Sequence, residues 1–177
     1  MQSSLKDGKK YTIRRTAVAD AGSMIDYVYK IGSESDNLTF GRGELDITLE
    51  QEEEFLKSFA SKANSLHIIA ELEGTIIGSL NFTGGGRQRI AHTGEFGVSV
   101  LKEFWGQGVG TNLVEYLIKW SKDTGIIRKI NLRVRTDNLP AIQVYKKLGF
   151  CEEGLITREF MIDGKFFDLY AMGLNID

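Results

Sequence analysis

The sequence predicts an α+β fold with a mixed, mostly antiparallel central sheet and helices on both faces. Apolar residues recur with a period of two in some segments and at helical spacing in others. Two-residue turn signals, Glu73-Gly74 and Asp163-Gly164, each separate a pair of β-rich runs, which indicates two antiparallel hairpins. No low-complexity linker or solenoid repeat interrupts the chain, so residues 1–177 are expected to form a single domain.

The first half of the chain is predicted to form a strand, two helices and a hairpin. "YTIRR" (11–15) is a short strand, and residues 19–31 carry apolar side chains at helical spacing. Thr48 and Gln51 have the spacing of a capping box, so a second helix should start there. Its apolar stripe would be Phe55, Leu56, Phe59 and Ala63. "LHIIAEL" and "TIIGSLNF" are the strands of the first hairpin.

The second half is predicted to alternate strands with helices. "EFGVSV" (95–100) would place Phe96, Val98 and Val100 on one face and Glu95, Gly97 and Ser99 on the other. A helix with an apolar side comes after the glycines of residues 106–110, and "INLRVRT" (130–136) is a strand. Pro140 suits the first turn of a helix that ends at Gly149, and two final strands flank Asp163-Gly164.

The composition is that of an ordinary globular protein without an excess of either charge. The net charge of −2 makes nucleic acid an unexpected partner, and no apolar window is long enough for a membrane span. The first ten residues lack the apolar core of a signal peptide, so a cytoplasmic location is expected. The single cysteine, Cys151, provides neither a disulfide nor a zinc-binding thiol pair and is expected in the core. His67 is expected to be structural, and no metal is expected.

The segment "FWGQGVGTNL" (104–113) places three glycines between a strand and a helix. Bare backbone at a helix start allows an anion to approach the unpaired N–H groups there, although a tight turn also uses glycine. The segment lacks the lysine of a P-loop, and threonine or leucine stands where the dinucleotide-binding pattern requires its third glycine. An anion site of another kind and a plain tight turn both remain open.

A second motif, "VRTDNLPAIQVYKKLGF" (134–150), lies further along the chain. Together the two segments resemble the GNAT superfamily of acetyl-CoA-dependent N-acetyltransferases. The family pattern is Arg/Gln-x-x-Gly-x-Gly/Ala before a helix, and then Asn-x-x-Ala-x-x-x-Tyr-x-x-x-Gly-Phe. The second motif is complete here, with Asn138, Ala141, Tyr145, Gly149 and Phe150. In the first motif Gly108 and Gly110 match, whereas Trp105 replaces the usual Arg or Gln. The opening "YTIRRTAVADAGSMIDYV" also looks like the family's first strand and helix, so the resemblance covers nearly the whole chain.

The resemblance implies acetyl-CoA as cosubstrate and identifies the residues that would bind it. The pyrophosphate of coenzyme A would lie on backbone N–H groups of Gln107, Gly108, Val109, Gly110 and Thr111. The strand with Val98 and Val100 would splay from the strand after Lys129, leaving a gap for the pantetheine arm. Asn138 would lie beside the cofactor, and it would also serve as a helix cap.

Acetyl transfer to an amine requires a group that removes a proton from the ammonium form. A lysine-like amine has a pKa near 10.4, so about one molecule in two thousand is neutral at pH 7. Glu95 is the candidate base, with an exposed residue of no special role as the alternative. The N–H of Val98 or Val100 would stabilise the oxyanion. Tyr145 would protonate the leaving thiolate; alternatively, it only packs in the core.

The resulting prediction is an enzyme that acetylates a primary amine of a small molecule such as an amino acid or polyamine, by direct attack in a ternary complex. The alternatives are a non-catalytic sensor of coenzyme A or acyl-CoA, and an acetyltransferase of protein N-termini or lysines. The sequence does not identify the acceptor, and it leaves open whether the protein is a homodimer.

Overall fold

Eight strands and four helices make up the computed structural model, which describes residues 1–177. In chain order they are β1 (Gln2–Ser4), β2 (Lys10–Arg15), α1 (Ala21–Gly32), α2 (Leu49–Ala60), β3 (Ser65–Leu72), β4 (Thr75–Gly84), β5 (Thr93–Val100), α3 (Val109–Thr124), β6 (Lys129–Arg135), α4 (Leu139–Lys147), β7 (Cys151–Ile162) and β8 (Lys165–Asn175).

The strands form one continuous sheet in the order β1-β2-β3-β4-β5-β6-β8-β7. All neighbouring strands are antiparallel except β5 and β6, which are parallel. The connection between these two strands contains α3, as a parallel pair requires a crossover. The predicted fold class, a mixed and mostly antiparallel sheet, is therefore confirmed.

The helices cover both faces of this sheet, as predicted. The larger core packs α3 and α4 against one face, where Leu113, Leu117 and Tyr145 meet apolar side chains of six strands. On the opposite face, Met24, Tyr27 and Ile31 of α1 pack against Ile69 and Ile76. Helix α2 packs on that same face, because Phe59 contacts the ring of His67 on β3. We call these the α3–α4 face and the α1–α2 face.

The predicted capping box and both predicted hairpin turns form in the structure. The Thr48 hydroxyl accepts from the N–H of Gln51 at 3.3 Å, while the Gln51 side chain accepts from the N–H of Thr48 at 2.9 Å, which completes the capping box. Both hairpin turns have two consecutive residues of positive φ, with values of 50° and 80° at Glu73-Gly74 and 49° and 76° at Asp163-Gly164. These values are typical of type I′ turns, which match the twist of a hairpin.

The structure also corrects three expectations. Strand β1 is missing from the sequence prediction; its three residues are too few to show a period, and it forms by pairing with β2. Of the predicted apolar stripe of α2, Leu56 and Phe59 are buried, whereas Phe55 is 41% exposed and Ala63 lies beyond the end of the helix at Ala60. Cys151 is exposed rather than in the core, because it begins β7 at the edge of the sheet. None of the helices has both the length and the apolar character to cross a membrane.

Candidate active site

Strands β5 and β6 separate after a short paired segment. Their parallel pairing covers only Thr93–Glu95 on β5 and Lys129–Asn131 on β6. Beyond Glu95, β5 continues on β4 as far as Val100, while β6 continues on β8 as far as Arg135. A wedge-shaped opening therefore interrupts the sheet between the two strands, as the resemblance implied. We call it the splay.

Backbone groups of β5 point into the splay. The N–H of Leu101 donates to Ile77 of β4 at 3.0 Å, while the carbonyl of Gly94 accepts from the Asn131 side chain of β6 at 3.1 Å. Successive residues of a strand direct their backbone N–H and C=O groups to opposite sides. The even-numbered residues from Gly94 to Val100 therefore point these groups toward the β6 side. Val98 and Val100 therefore turn their N–H groups into the splay, where β6 no longer provides acceptors.

The glycine segment makes an open cluster of unpaired donors at the start of α3. The first intrahelical bond runs from the N–H of Asn112 to the carbonyl of Gly108, and no side chain caps the helix. The N–H groups of residues 108–111 have no acceptor within the protein. Gly108 has a φ of +88°, and a β-carbon there would meet no atom within 4 Å. Four donors at the positive end of a helix dipole, with no side chain in front of them, suit an anion.

The N–H of Gln107, also predicted to belong to this cluster, has an acceptor within the protein, unlike the N–H groups of residues 108–111. Its N–H donates to the carbonyl of Phe104 at 3.4 Å, and its side-chain oxygen accepts from the N–H of Lys6 at 3.2 Å. The side chain of Trp105 turns toward the splay, where its Nε1–H donates to the carbonyl of Val100 at 2.6 Å. The carbonyl of Val100 is therefore engaged, whereas the N–H groups of Val98 and Val100 are available.

Tyr145 lies on the α3–α4 face, below the closed end of the splay. Its ring packs edge-on against Phe96 and Phe150, with centroids 5.9 Å from each. Burial raises the pKa of Tyr145 to about 12, so its hydroxyl carries a proton at neutral pH. The hydroxyl makes no hydrogen bond within the protein and is not among the completely enclosed polar atoms. Tyr145 therefore both packs in the core and holds an available proton donor.

Glu95 lies on the α1–α2 face, at the last paired position of β5. Its side chain is 48% exposed, and Oε1 lies 3.5 Å from Nε of Arg133 on β6. Arg133 also donates from Nη1 to Oε1 of Glu159 on β7 at 2.8 Å. Glu95 precedes Phe96, whose ring contacts Tyr145, so the two predicted catalytic residues approach the splay from opposite faces of the sheet.

Asn138, the remaining predicted site residue, caps α4. Its side-chain oxygen accepts from the N–H of Ala141 at 3.4 Å, which confirms the capping role. Since α4 begins just after β6, Asn138 lies near the open end of the splay. A role toward the cofactor stays a prediction.

The loop between α1 and α2 bridges the open end of the splay. Glu34 accepts from the N–H of Lys102, just after β5, at 2.7 Å. Two residues later, the carbonyl of Asp36 accepts from Nη1 of Arg135, at the end of β6, also at 2.7 Å. Arg135 is buried, pairs with Asp137 and lies 3.9 Å over the ring of Phe167. These two hydrogen bonds hold the loop across the open end of the splay on the α1–α2 face.

Sequence reasoning missed both arginines of this site. The signal was present in "INLRVRT", because the alternation that buries Ile130, Leu132 and Val134 sends Arg133 and Arg135 to the opposite face. The sequence could not show which strands lie next to β6, so it did not show that these side chains border the same opening as Glu95.

His67 lies outside the site, in agreement with the structural role expected for it. It is 4% exposed, packs against Phe55 and Phe59, and places Nε2 3.1 Å from the hydroxyl of Ser79. Burial lowers the pKa of His67 to about 4, so the imidazole is neutral at pH 7.

Comparison with known proteins agrees with this architecture. The sequence model of the acetyltransferase (GNAT) family matches residues 28–150. The L-amino acid N-acetyltransferase AaaT of Escherichia coli is 31% identical over 113 residues, which are 64% of this chain and 70% of that protein. A solved acetyltransferase of the GNAT family from Streptococcus pneumoniae is 34% identical, with a TM-score of 0.91 over 94% of this chain and 99% of that one.

A more distant structure, yncA from Salmonella typhimurium with its cofactor acetyl-CoA, shares the fold. It is 19% identical, with a TM-score of 0.82 over 94% of both chains. The family match covers both motifs that border the splay, the glycine segment and the segment from Asn138 to Phe150. The chain is therefore an N-acetyltransferase of the GNAT family.

Proposed function

We propose that the protein transfers the acetyl group of acetyl-CoA to a primary amine of a small molecule, by direct attack within a ternary complex. The observation that carries this proposal is the splay itself. A proton donor, Tyr145, approaches it from the α3–α4 face and a carboxylate, Glu95, from the α1–α2 face. Two reactants that enter from opposite faces can meet between the strands without a covalent enzyme intermediate.

The unpaired donors define where the cosubstrate would bind. The N–H groups of residues 108–111 would hold the pyrophosphate, because four preorganised donors at a helix start match its charge. The N–H of Val98 or Val100 would hydrogen-bond the pantetheine arm or the thioester oxygen. In this arrangement the thioester would lie near the closed end of the splay, on the side where Tyr145 packs against Phe96.

The chain's own residues then move two protons. Glu95 accepts one from the substrate ammonium, directly or through water, and the neutral nitrogen attacks the thioester carbonyl. The strand N–H stabilises the charge that develops on the carbonyl oxygen. As the new C–N bond forms and the C–S bond breaks, Tyr145 gives its proton to the sulfur. The attacking nitrogen loses its second proton through water to the Tyr145 phenolate, and Glu95 releases the first proton to solvent, so both side chains return to their starting states. The products are an acetamide and coenzyme A.

The first test measures release of free thiol from acetyl-CoA against a panel of amino acids, polyamines, aminoglycosides and peptides. We expect at least one small amine to support turnover. Coenzyme A binding without thiol release from any member would favour a sensor, and release with peptides alone would favour a protein acetyltransferase.

The second test is a pH–rate profile of Glu95→Gln with the best amine. The variant should be slower at neutral pH by about 10²-fold, and the deficit should shrink as the pH approaches the amine's own pKa, since the amine then arrives neutral. Glu153→Gln is the matched control, because Glu153 is also a partly exposed carboxylate paired with a cation of β6, Lys129, but at the closed end of the strand pair. Parallel profiles for wild type and Glu95→Gln from about pH 6.5 to 9.5 would remove Glu95 as the base.

A further inference from the structure

An ion pair spans the splay on the α1–α2 face. Glu95 is the last residue of β5 that pairs with β6, and Arg133 lies two residues beyond its partner position, Asn131. The Glu95 carboxylate and the Arg133 guanidinium approach to 3.5 Å, and both side chains are nearly half exposed. A negative and a positive group therefore stand side by side at the point where the proposed base, Glu95, would meet the acceptor amine.

We propose that Arg133 binds a carboxylate of the acceptor, so that the substrate is an α-amino acid. This inference rests on the function proposed above and specifies its acceptor. In an α-amino acid the ammonium and the carboxylate are attached to one carbon atom. The substrate would therefore replace the Glu95–Arg133 contact with two contacts of its own, ammonium to Glu95 and carboxylate to Arg133.

The geometry of Arg133 suits this exchange of partners. Its tight contact is with Glu159, from Nη1 at 2.8 Å, while the contact of Nε with Glu95 is longer, at 3.5 Å. Because an exposed ion pair of that length contributes little stability, it can open readily. Nη2 has no partner within the protein, and a guanidinium can bind a carboxylate through two parallel N–H groups.

The surrounding residues leave space for a small acceptor. Gly97 comes two residues after Glu95 on the same face of β5, is exposed and provides no side chain to fill the floor of the splay. The Asn81 side chain borders this space on the β4 side, because its Oδ1 accepts from the N–H of Gly97 at 3.2 Å. The bridging loop at Glu34 and Asp36 limits the opening at its other end. These boundaries suit a compact molecule.

The same charges disfavour a polyamine. Once Glu95 binds the first ammonium, the other carboxylate beside Arg133, Glu159, stays paired with Nη1 of Arg133 at 2.8 Å. A polyamine would have to place its further charges near the guanidinium, and like charges at close range repel. Arg133 would therefore favour an α-amino acid over a polyamine in two ways, by attracting the carboxylate and by repelling a second ammonium.

The experiment compares each amino acid that supports turnover with the amine that lacks its carboxylate. Wild type should prefer the amino acid by about 100-fold or more in kcat/KM. Arg133→Gln should lower kcat/KM for the amino acid by about 100-fold, mainly through KM, and leave the decarboxylated amine within about twofold. Arg133→Lys, which keeps the charge but loses the paired N–H groups, should restore part of the loss.

Arg128→Gln is the matched control, since it removes an exposed arginine just before the closed end of β6 and should leave both substrates unaffected. Coenzyme A affinity and thermal unfolding, measured for every variant, should match wild type. Equal use of the amino acid and the decarboxylated amine, or an equal loss of both in Arg133→Gln, would overturn the inference while the proposed acetyl transfer stands. Turnover of other amines but of no amino acid would overturn it as well, whereas absence of thiol release with every amine would instead overturn the proposed function.

Discussion

A charge placed at the start of α3 would test the proposed pyrophosphate site directly. Gly108 precedes the helix, is surrounded by unpaired N–H groups, and has open space where a side chain would project. Gly108→Asp would introduce a carboxylate without a steric clash. The left-handed backbone at φ +88° costs an L-residue about 1 kcal/mol, and Asp and Asn tolerate it better than most.

The size of the effect depends on the separation of charges. A carboxylate on residue 108 would lie about 6 Å from a phosphate held by the N–H groups of residues 108–111, and two unit charges at that distance repel by about 0.7 kcal/mol in water and about 3 kcal/mol at an effective dielectric constant of 20. Gly108 is exposed, so an intermediate value applies. We expect coenzyme A affinity to fall at least about tenfold, which corresponds to about 1.4 kcal/mol.

The assay is isothermal titration of coenzyme A into wild type, Gly108→Asp and Gly108→Asn. Asparagine has the same shape and the same tolerance of the backbone conformation, so it reports every effect of the substitution except charge. The Asp variant should bind more weakly than the Asn variant, and the difference should shrink in high salt because salt screens exposed charges. Both variants should unfold at similar temperatures.

Equal coenzyme A affinity of the folded Asp and Asn variants at low salt would refute the reasoning. The donors of residues 108–111 would then serve something other than an anion, and the assignment of the pyrophosphate to this helix start would be withdrawn.

Two further substitutions test the catalytic assignment and the core. Tyr145→Phe should retain coenzyme A affinity and thermal stability, because the hydroxyl has no partner within the protein, while kcat falls about tenfold or more; an unchanged kcat under conditions where chemistry limits turnover would leave Tyr145 as a packing residue. His67 is neutral when folded because burial lowers its pKa to about 4, so the stability that depends on its neutral form is complete above about pH 6.5 and is lost as the pH falls toward 4. Urea unfolding at pH 7 and pH 5 should show wild type losing about 2 kcal/mol more than His67→Gln over that interval, and equal losses would contradict the buried neutral imidazole.

Much of this protein is determined by signals that are local in the sequence. The capping box at Thr48 and the two hairpin turns depend on interactions between residues close in the chain, and the alternation in residues 95–100 is a pattern of adjacent residues. The glycine segment is similar, since its conformation at Gly108 and its unpaired N–H groups arise within one turn of backbone. Such features could be predicted because the atoms that cause them are adjacent in sequence.

The tertiary structure alone decided what surrounds the splay. Strand β1 forms only by pairing with β2. The hairpin turn fixes the pairing of β7 with β8, but it does not specify which of the two strands pairs with β6; in the structure that strand is β8. Glu95 and Arg133 are 38 positions apart in the numbering but face each other across two strands that separate after Asn131. Local periodicity gives the face on which each side chain lies. Local periodicity does not identify the side chain's neighbours on other strands, because the strand order and the point where β5 and β6 separate depend on how all the helices pack against the sheet.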